Sequence, residues 1–165
     1  MDPKSPAESI AVMTQMILPS DANPLNAAFG GRILEWIDIC GGIAAGRHCR
    51  HPVVTASMDE LHFHASIRVG WVVTLRARVL ATFRSSMEVG VRVTAENPLT
   101  GQTHLTTTAL LTFVALNPDG SRATVPPLKL ETDAERAAFQ AAHSRRRERL
   151  ERKAAPAEWQ QLLEP

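Results

Sequence analysis

Asp38 stands between Ile37 and Ile39 in a segment that is apolar on nearly every side, and a carboxylate in such a place is costly unless partners meet it. Either a nearby main-chain group or arginine satisfies it structurally, or it does chemistry, as a general base on water or as a nucleophile toward a carbonyl. Just upstream, Phe29-Gly30-Gly31 offers main-chain N–H groups without side-chain obstruction at a helix start, a plausible oxyanion hole at the positive end of a helix dipole; a helix start that needs glycine for its backbone explains the same pair. Asn23, in a loop with Asp21, Pro24 and Asn26, is either an ordinary turn residue or a second polar group for the same site. His62 and His64 fall on one face of a strand, as the beginning of a zinc site could, but no third and fourth ligand follow at fitting spacing, so no metal is expected. Neither a G-x-S-x-G elbow nor a P-loop occurs, which removes serine-nucleophile and nucleotide-hydrolysis chemistry.

These residues need elements to hold them. With 165 residues, 44% of them hydrophobic, the chain has enough for one core and too little for two comfortable ones. The opening MDPKSPAE, residues 1–8, reads as a loose end. Ser9 to Leu18 reads as a half-buried strand with Ile10, Val12, Met16 and Leu18 inward. Gly30 to about His48 repeats apolar residues at helical spacing almost all round, so this helix belongs in the interior. Gly41, Gly42 and Gly46 cost it about 1 kcal/mol each relative to alanine, and close approach of strand backbone would offset that.

Two long strands follow with strict alternation: Trp71, Val73, Leu75, Ala77, Val79, Ala81 and Phe83 on one parity, then Met87, Val89, Val91, Val93 and Ala95. Gln102 to Leu116 supplies another. One apolar helix and several one-faced strands predict an α+β hotdog domain over residues 9–128, the long antiparallel sheet curled round the helix. Residues 129–165 form a charged extension whose helix opens on Thr132-Asp133-Ala134-Glu135, a capping box, and runs into Arg145, Arg146, Arg147, Arg149, Arg152 and Lys153. Glu148 and Glu151 among these arginines suggest a solvated, internally salt-bridged helix outside the main core.

The run Leu18-Pro19-Ser20-Asp21-Ala22-Asn23, then Phe29-Gly30-Gly31-Arg32-Ile33-Leu34-Glu35-Trp36-Ile37-Asp38, closely resembles the start of the brain-type cytosolic acyl-CoA hydrolases and their single-domain bacterial relatives. Val54-Thr55-Ala56-Ser57-Met58-Asp59, Ser86-Met87-Glu88-Val89 and Thr112-Phe113-Val114-Ala115 continue the likeness in family order. It covers about Val12 to Phe139. The resemblance implies that Asp38 and Asn23 are the catalytic pair, contributed across an interface between two hotdog units; the Gly30 and Gly31 N–H groups, by their place at the helix start, would polarise the carbonyl. Because this chain carries one unit, two copies must pair, and the family often assembles as a trimer of such dimers, a hexamer. The resemblance also implies coenzyme A contacts at Ala56, Ser57 and Met58 and at the turn of Ser85, Ser86 and Met87; Arg84, at a strand end beside that turn, is by its position either a phosphate contact or a solvated surface charge. Where many bacterial relatives have a glycine three residues after the loop asparagine, this chain has Asn26.

The expected function is hydrolysis of acyl-CoA to free acid and coenzyme A, with no cofactor beyond the coenzyme A of the substrate. An acyl-CoA sensor and a dehydratase are the rivals. Net charge is +1, so no global field recruits nucleic acid or an anionic membrane. Cys40 and Cys49, nine helical residues and roughly 13 Å apart, read as reduced thiols. With no leader and no membrane span in view, the expectation is a cytoplasmic protein.

Overall fold

A computed structural model describes residues 1–154. Five strands, β1 (Ala11–Met16), β2 (Val53–Phe63), β3 (Val72–Thr82), β4 (Ser86–Glu96) and β5 (Thr103–Ala115), join in one antiparallel sheet of order β1-β3-β4-β5-β2. Helix α1 (Gly30–Cys49) lies in its concave face and α2 (Asp133–Ala154) follows the sheet. This is the hotdog fold.

The alternation in β3 and β4 holds: Val73, Leu75, Ala77, Val79, Met87, Val89, Val93 and Ala95 are fully buried against Ile33, Ile37, Cys40 and Ala44 of α1. In β1 the parity is the reverse of the expected one. Ala11 pairs with Ala77 and Met13 with Leu75, and residues directly opposite share a face, so β3 dictates which side of its neighbour turns inward. Ala11 and Ile17 are buried, whereas Val12, Met16 and Leu18 are exposed.

Three further expectations are corrected. The opening residues are tied down rather than loose: Lys4 bridges to Leu128, its Nζ donates to the His48 carbonyl at 2.7 Å, and Ser5 caps a 3-10 turn at Pro6–Ser9. Gly41 and Gly42 of α1 make room for a side chain, not for strand backbone: a Cβ on Gly41 would lie 3.0 Å and one on Gly42 3.7 Å from the Phe113 ring, while Gly46 meets only the His51 carbonyl at 4.0 Å. Nor is α1 covered all round, since Ile39 and Ile43 remain exposed.

Arg50, which ends α1, has a left-handed φ of 57° and donates its N–H to the Gly46 carbonyl at 2.8 Å. A side chain there carries a penalty of about 1 kcal/mol that glycine avoids. Arg50→Gly is expected to raise Tm by roughly 2–4 °C, read by thermal unfolding; an unchanged or lower Tm contradicts the strain.

Helix α2 is not a solvated appendage. It starts on the Thr132–Glu135 capping box and lies across the outer face of the sheet, where Glu135 meets Arg78 of β3, Arg145 meets Glu88 of β4 and Arg149 meets Asp59 of β2. Fourteen residues from Glu135 to Arg149 give roughly 21 Å of helix, enough to cross three inter-strand gaps of about 4.8 Å obliquely. Ala142 of the helix is fully buried against the sheet side, and Phe83, Phe139 and His143 pack ring to ring. Arg145 and Arg149 therefore pair with the sheet, not with Glu148 and Glu151 along the helix, while Arg146 lies over the Phe83 ring and Arg147 donates to Ser144.

Candidate active site

Asp38 projects from the third turn of α1 and is half-buried. The Thr55 hydroxyl of β2 donates to its Oδ1 at 2.5 Å. This bond leaves Oδ2 without a partner among the described residues. A carboxylate held on one oxygen and open on the other can accept a proton from water. Sequence reading passed over Thr55, because the bond joins helix to strand across seventeen positions; its one signal is that it directly precedes the Ala56-Ser57-Met58 segment. Thr55→Val should lower turnover about tenfold, the loss of one hydrogen bond to a charged group, with little change in stability; undiminished turnover in a steady-state assay would remove its role.

Asn23 organises its own loop. Its Oδ1 accepts from the N–H groups of Leu25 at 2.9 Å and Ala27 at 3.3 Å, and its main chain pairs with Ala27 and Asn26. The carbonyl end is thus committed, leaving the NH2 end to point a donor elsewhere. Asn26 has a φ of 56°, a left-handed conformation that asparagine tolerates better than other side chains; it fits the place where relatives have glycine.

Asn23, Gly30, Ile33 and Phe63 line one cavity of about 550 Å³, and Asp38 does not. Gly30 and Gly31 begin α1, so their N–H groups have no partner within the helix, yet Asp38 is eight residues further on, roughly 12 Å along the axis. One protomer therefore does not bring Asp38 to the same reacting carbonyl as Gly30, Gly31 and Asn23. The expected set is split into two parts that a single copy keeps apart.

The two segments expected to contact coenzyme A flank β5 at one level: Thr55 and Met87 both pair with Phe113, from opposite sides. Ala56 is the extra residue of a bulge between Thr55 and Ser57, which frees its main chain. Ser57 turns to the outer face and donates to Asp59 at 2.8 Å, and Met58 is half-buried. At the other segment the carbonyls of Arg84, Ser85 and Ser86 accept from Val125, Ala115 and Phe83, so the turn is rigid, while the Arg84 side chain is exposed. Met87 is fully buried in the core and can offer a ligand only its main chain. His62 and His64 stack with ring centroids 6.2 Å apart, and no cluster of three metal-ligating side chains occurs among the described residues. Burial raises the thiol pKa of both Cys40 and Cys49, which keeps them protonated and poor as nucleophiles.

Residues 25–102 match the family model described as the thioesterase superfamily. An acyl-CoA thioester hydrolase of Bacillus subtilis is 41% identical over 146 residues, 88% of this chain and 85% of that one. The chain belongs to the thioesterase superfamily. Among solved structures, an apo-hexameric acyl-CoA thioesterase superposes on this superfamily member with a TM-score of 0.90 at 36% identity, covering 94% of this chain and 100% of the other. The acyl-CoA hydrolase of Staphylococcus aureus, solved with butyryl coenzyme A and coenzyme A, gives 0.84 at 33% identity over 91% and 92%. That hydrolase was also characterised with alanine replacing an asparagine, an aspartate fifteen positions later, and a threonine seventeen positions further on. Mammalian relatives are longer: this thioesterase-superfamily chain spans 25% of the mouse acetyl-coenzyme A thioesterase, at 34% identity over 140 residues, 85% of its own length.

Proposed function

We propose that this chain hydrolyses acyl-CoA thioesters to free acid and coenzyme A at a site completed by a second copy of itself. The observation that carries this reading is the Asp38–Thr55 pair, set on a face of α1 that one protomer leaves open, while Asn23 and the Gly30–Gly31 N–H groups gather elsewhere. Asn23, Asp38 and Thr55 also reproduce the spacing of the three residues replaced in the Staphylococcus aureus hydrolase.

In the proposed mechanism the free Oδ2 of Asp38 takes a proton from water as the oxygen adds to the thioester carbonyl, and the NH2 of Asn23 from the facing copy positions that water. The developing oxyanion accepts hydrogen bonds from Gly30 and Gly31, also of the facing copy. Collapse of the tetrahedral intermediate breaks the C–S bond, and the coenzyme A thiolate recovers the proton from Asp38. Main-chain groups at the Ala56 bulge and the Ser85–Met87 turn follow the pantetheine amides, with Ser57 and Met58 continuing the strand side and Arg84 reaching a phosphate. No cofactor or metal is required, since coenzyme A enters as part of the substrate.

Pairing of two copies is supported by β2, an eleven-residue strand bonded on one side only, to β5. An open edge of that length invites another strand, and exposed Val54 and Phe63 on it, with Ile39 and Ile43 beside Asp38, supply apolar surface for the contact. A trimer of such dimers fits the hexameric relatives. No helix among the described residues is long and apolar enough to cross a membrane, and a cytosolic location is part of the proposal. Arg145 and Arg149 of α2 are committed to carboxylates of the sheet, and no nucleic-acid reader motif accompanies the remaining arginines, which favours an enzyme over a nucleic-acid-binding sensor.

The test is release of free thiol from acyl-CoAs of graded chain length. Turnover on at least one chain length supports the proposal; saturable binding with no turnover on any would replace it with the sensor reading, and hydration of an enoyl thioester with the dehydratase.

A further inference from the structure

On the face of the sheet opposite Asp38, Arg76 of β3 stands directly across from Arg92 of β4. Their Cβ atoms are therefore about 5 Å apart, and like charges so placed repel. Neither guanidinium has a carboxylate or hydrogen-bond partner among the described residues. Arg78, two positions along the same face, pairs with Glu135 through Nη2 at 3.1 Å, but its Nε is buried without a partner. All three line one groove of about 430 Å³ with Leu80, Gly90 and Leu110 at its apolar centre and Glu60 at its β2 side, two strands away from Arg92. Gly90 makes the depression: a Cβ there would lie 2.8 Å from Leu80 Cδ1. Thr108 and His62 continue the Arg76–Arg92 row across β5 and β2.

Strands built for solubility alone place opposite charges, not like ones, across a ladder. Two unpaired guanidiniums facing each other over a largely apolar groove, with Arg78 beside them already paired to Glu135, suit a ligand that brings several acceptor oxygens and more than one negative charge. The geometry points to a second binding site for a diphosphate group, held by Arg76 and Arg92, with Leu80 and Leu110 against whatever the diphosphate is attached to. It is distinct from the turn at Arg84 to Met87: Arg92 lies four residues along β4 from Glu88, roughly 13 Å. A bound diphosphate relieves the Arg76–Arg92 repulsion, so occupancy stabilises the sheet that carries Thr55 from its far side.

The probe is inorganic pyrophosphate, added to the full chain and followed by thermal unfolding against sodium chloride at matched ionic strength. For the wild type, Tm should rise by roughly 5–10 °C at a hundred times Kd. Arg92→Gln and Arg76→Gln should each unfold at a higher temperature than the wild type without pyrophosphate, because the repulsion is gone, and should lose most of the pyrophosphate-dependent rise. Arg84→Gln should keep it. A rise that survives in Arg92→Gln, or that chloride reproduces, overturns the site; so does a rise lost in Arg84→Gln instead, which places the anion at the turn. Arg92→Gln variants that unfold earlier and also assemble into smaller particles would mean that a carboxylate of another copy meets this arginine pair, and would overturn it equally.

Discussion

Asp38→Asn is expected to lower kcat for acyl-CoA hydrolysis by about 100- to 10,000-fold, the range that a positioned general base contributes. KM should move little, because the amide keeps the shape of the carboxylate and the Thr55 hydroxyl can still donate to its oxygen. The change removes only the capacity to take a proton. Folding should survive as well, since Asp38 is half-buried and its one partner is retained. Single-turnover and steady-state measurements separate the chemical step from binding. Turnover within a factor of about three of the wild type, in a correctly folded protein, would exclude Asp38 as the base.

The second large effect concerns stability. Glu88 is fully buried on the outer face of β4, and the Arg145 guanidinium meets both its oxygens, at 2.5 and 3.2 Å. Arg145→Met leaves that carboxylate buried without its cation, which costs about 3–5 kcal/mol. Glu88→Gln combined with Arg145→Met should recover a large part of the loss, because no uncompensated charge remains. Denaturant titration reads both. A loss under about 1 kcal/mol for Arg145→Met would mean that α2 contributes little to holding the sheet. Asp59 is arranged similarly, accepting from Ser57 and Thr112 at 2.8 Å and from Arg149 at 2.6 Å, so α2 clamps the outer face of the same strand that presents Thr55 to Asp38.

How far the sequence foretold this depends on whether each feature is local. The alternation of β3 and β4 is long, and apart from Val72 and Leu80 their large apolar residues keep to one parity, so it was readable residue by residue. β1 and the two residues after it carry apolar side chains on both parities, Ala11, Met13 and Ile17 against Val12, Met16 and Leu18, and only pairing with β3 decides between them. Asp38 announced itself as a charge in an apolar helix. Its partner Thr55 did not, since nothing in a threonine of a strand says which helix it will face. The docking of α2 was equally hidden: the helix has few large apolar residues, and its anchors are ion pairs to Glu88 and Asp59, which in sequence look like ordinary outward-facing charges on strands. The separation of Asp38 from Asn23 and Gly30 within one protomer follows from helix length and required the three-dimensional path of the loop to be seen.

The central claim, that the site is shared between two copies, is tested most directly by mixing two inactive variants. Asp38→Asn and Asn23→Ala are each purified and assayed alone, then unfolded and refolded together in equal amounts. With random pairing, half the dimers are mixed, and each mixed dimer regains one of its two sites. The account predicts recovery to about a quarter of wild-type thiol release. Activity no higher than that of the separate variants, in particles shown to contain both chains, would contradict it and put Asn23 and Asp38 in the service of one and the same chain.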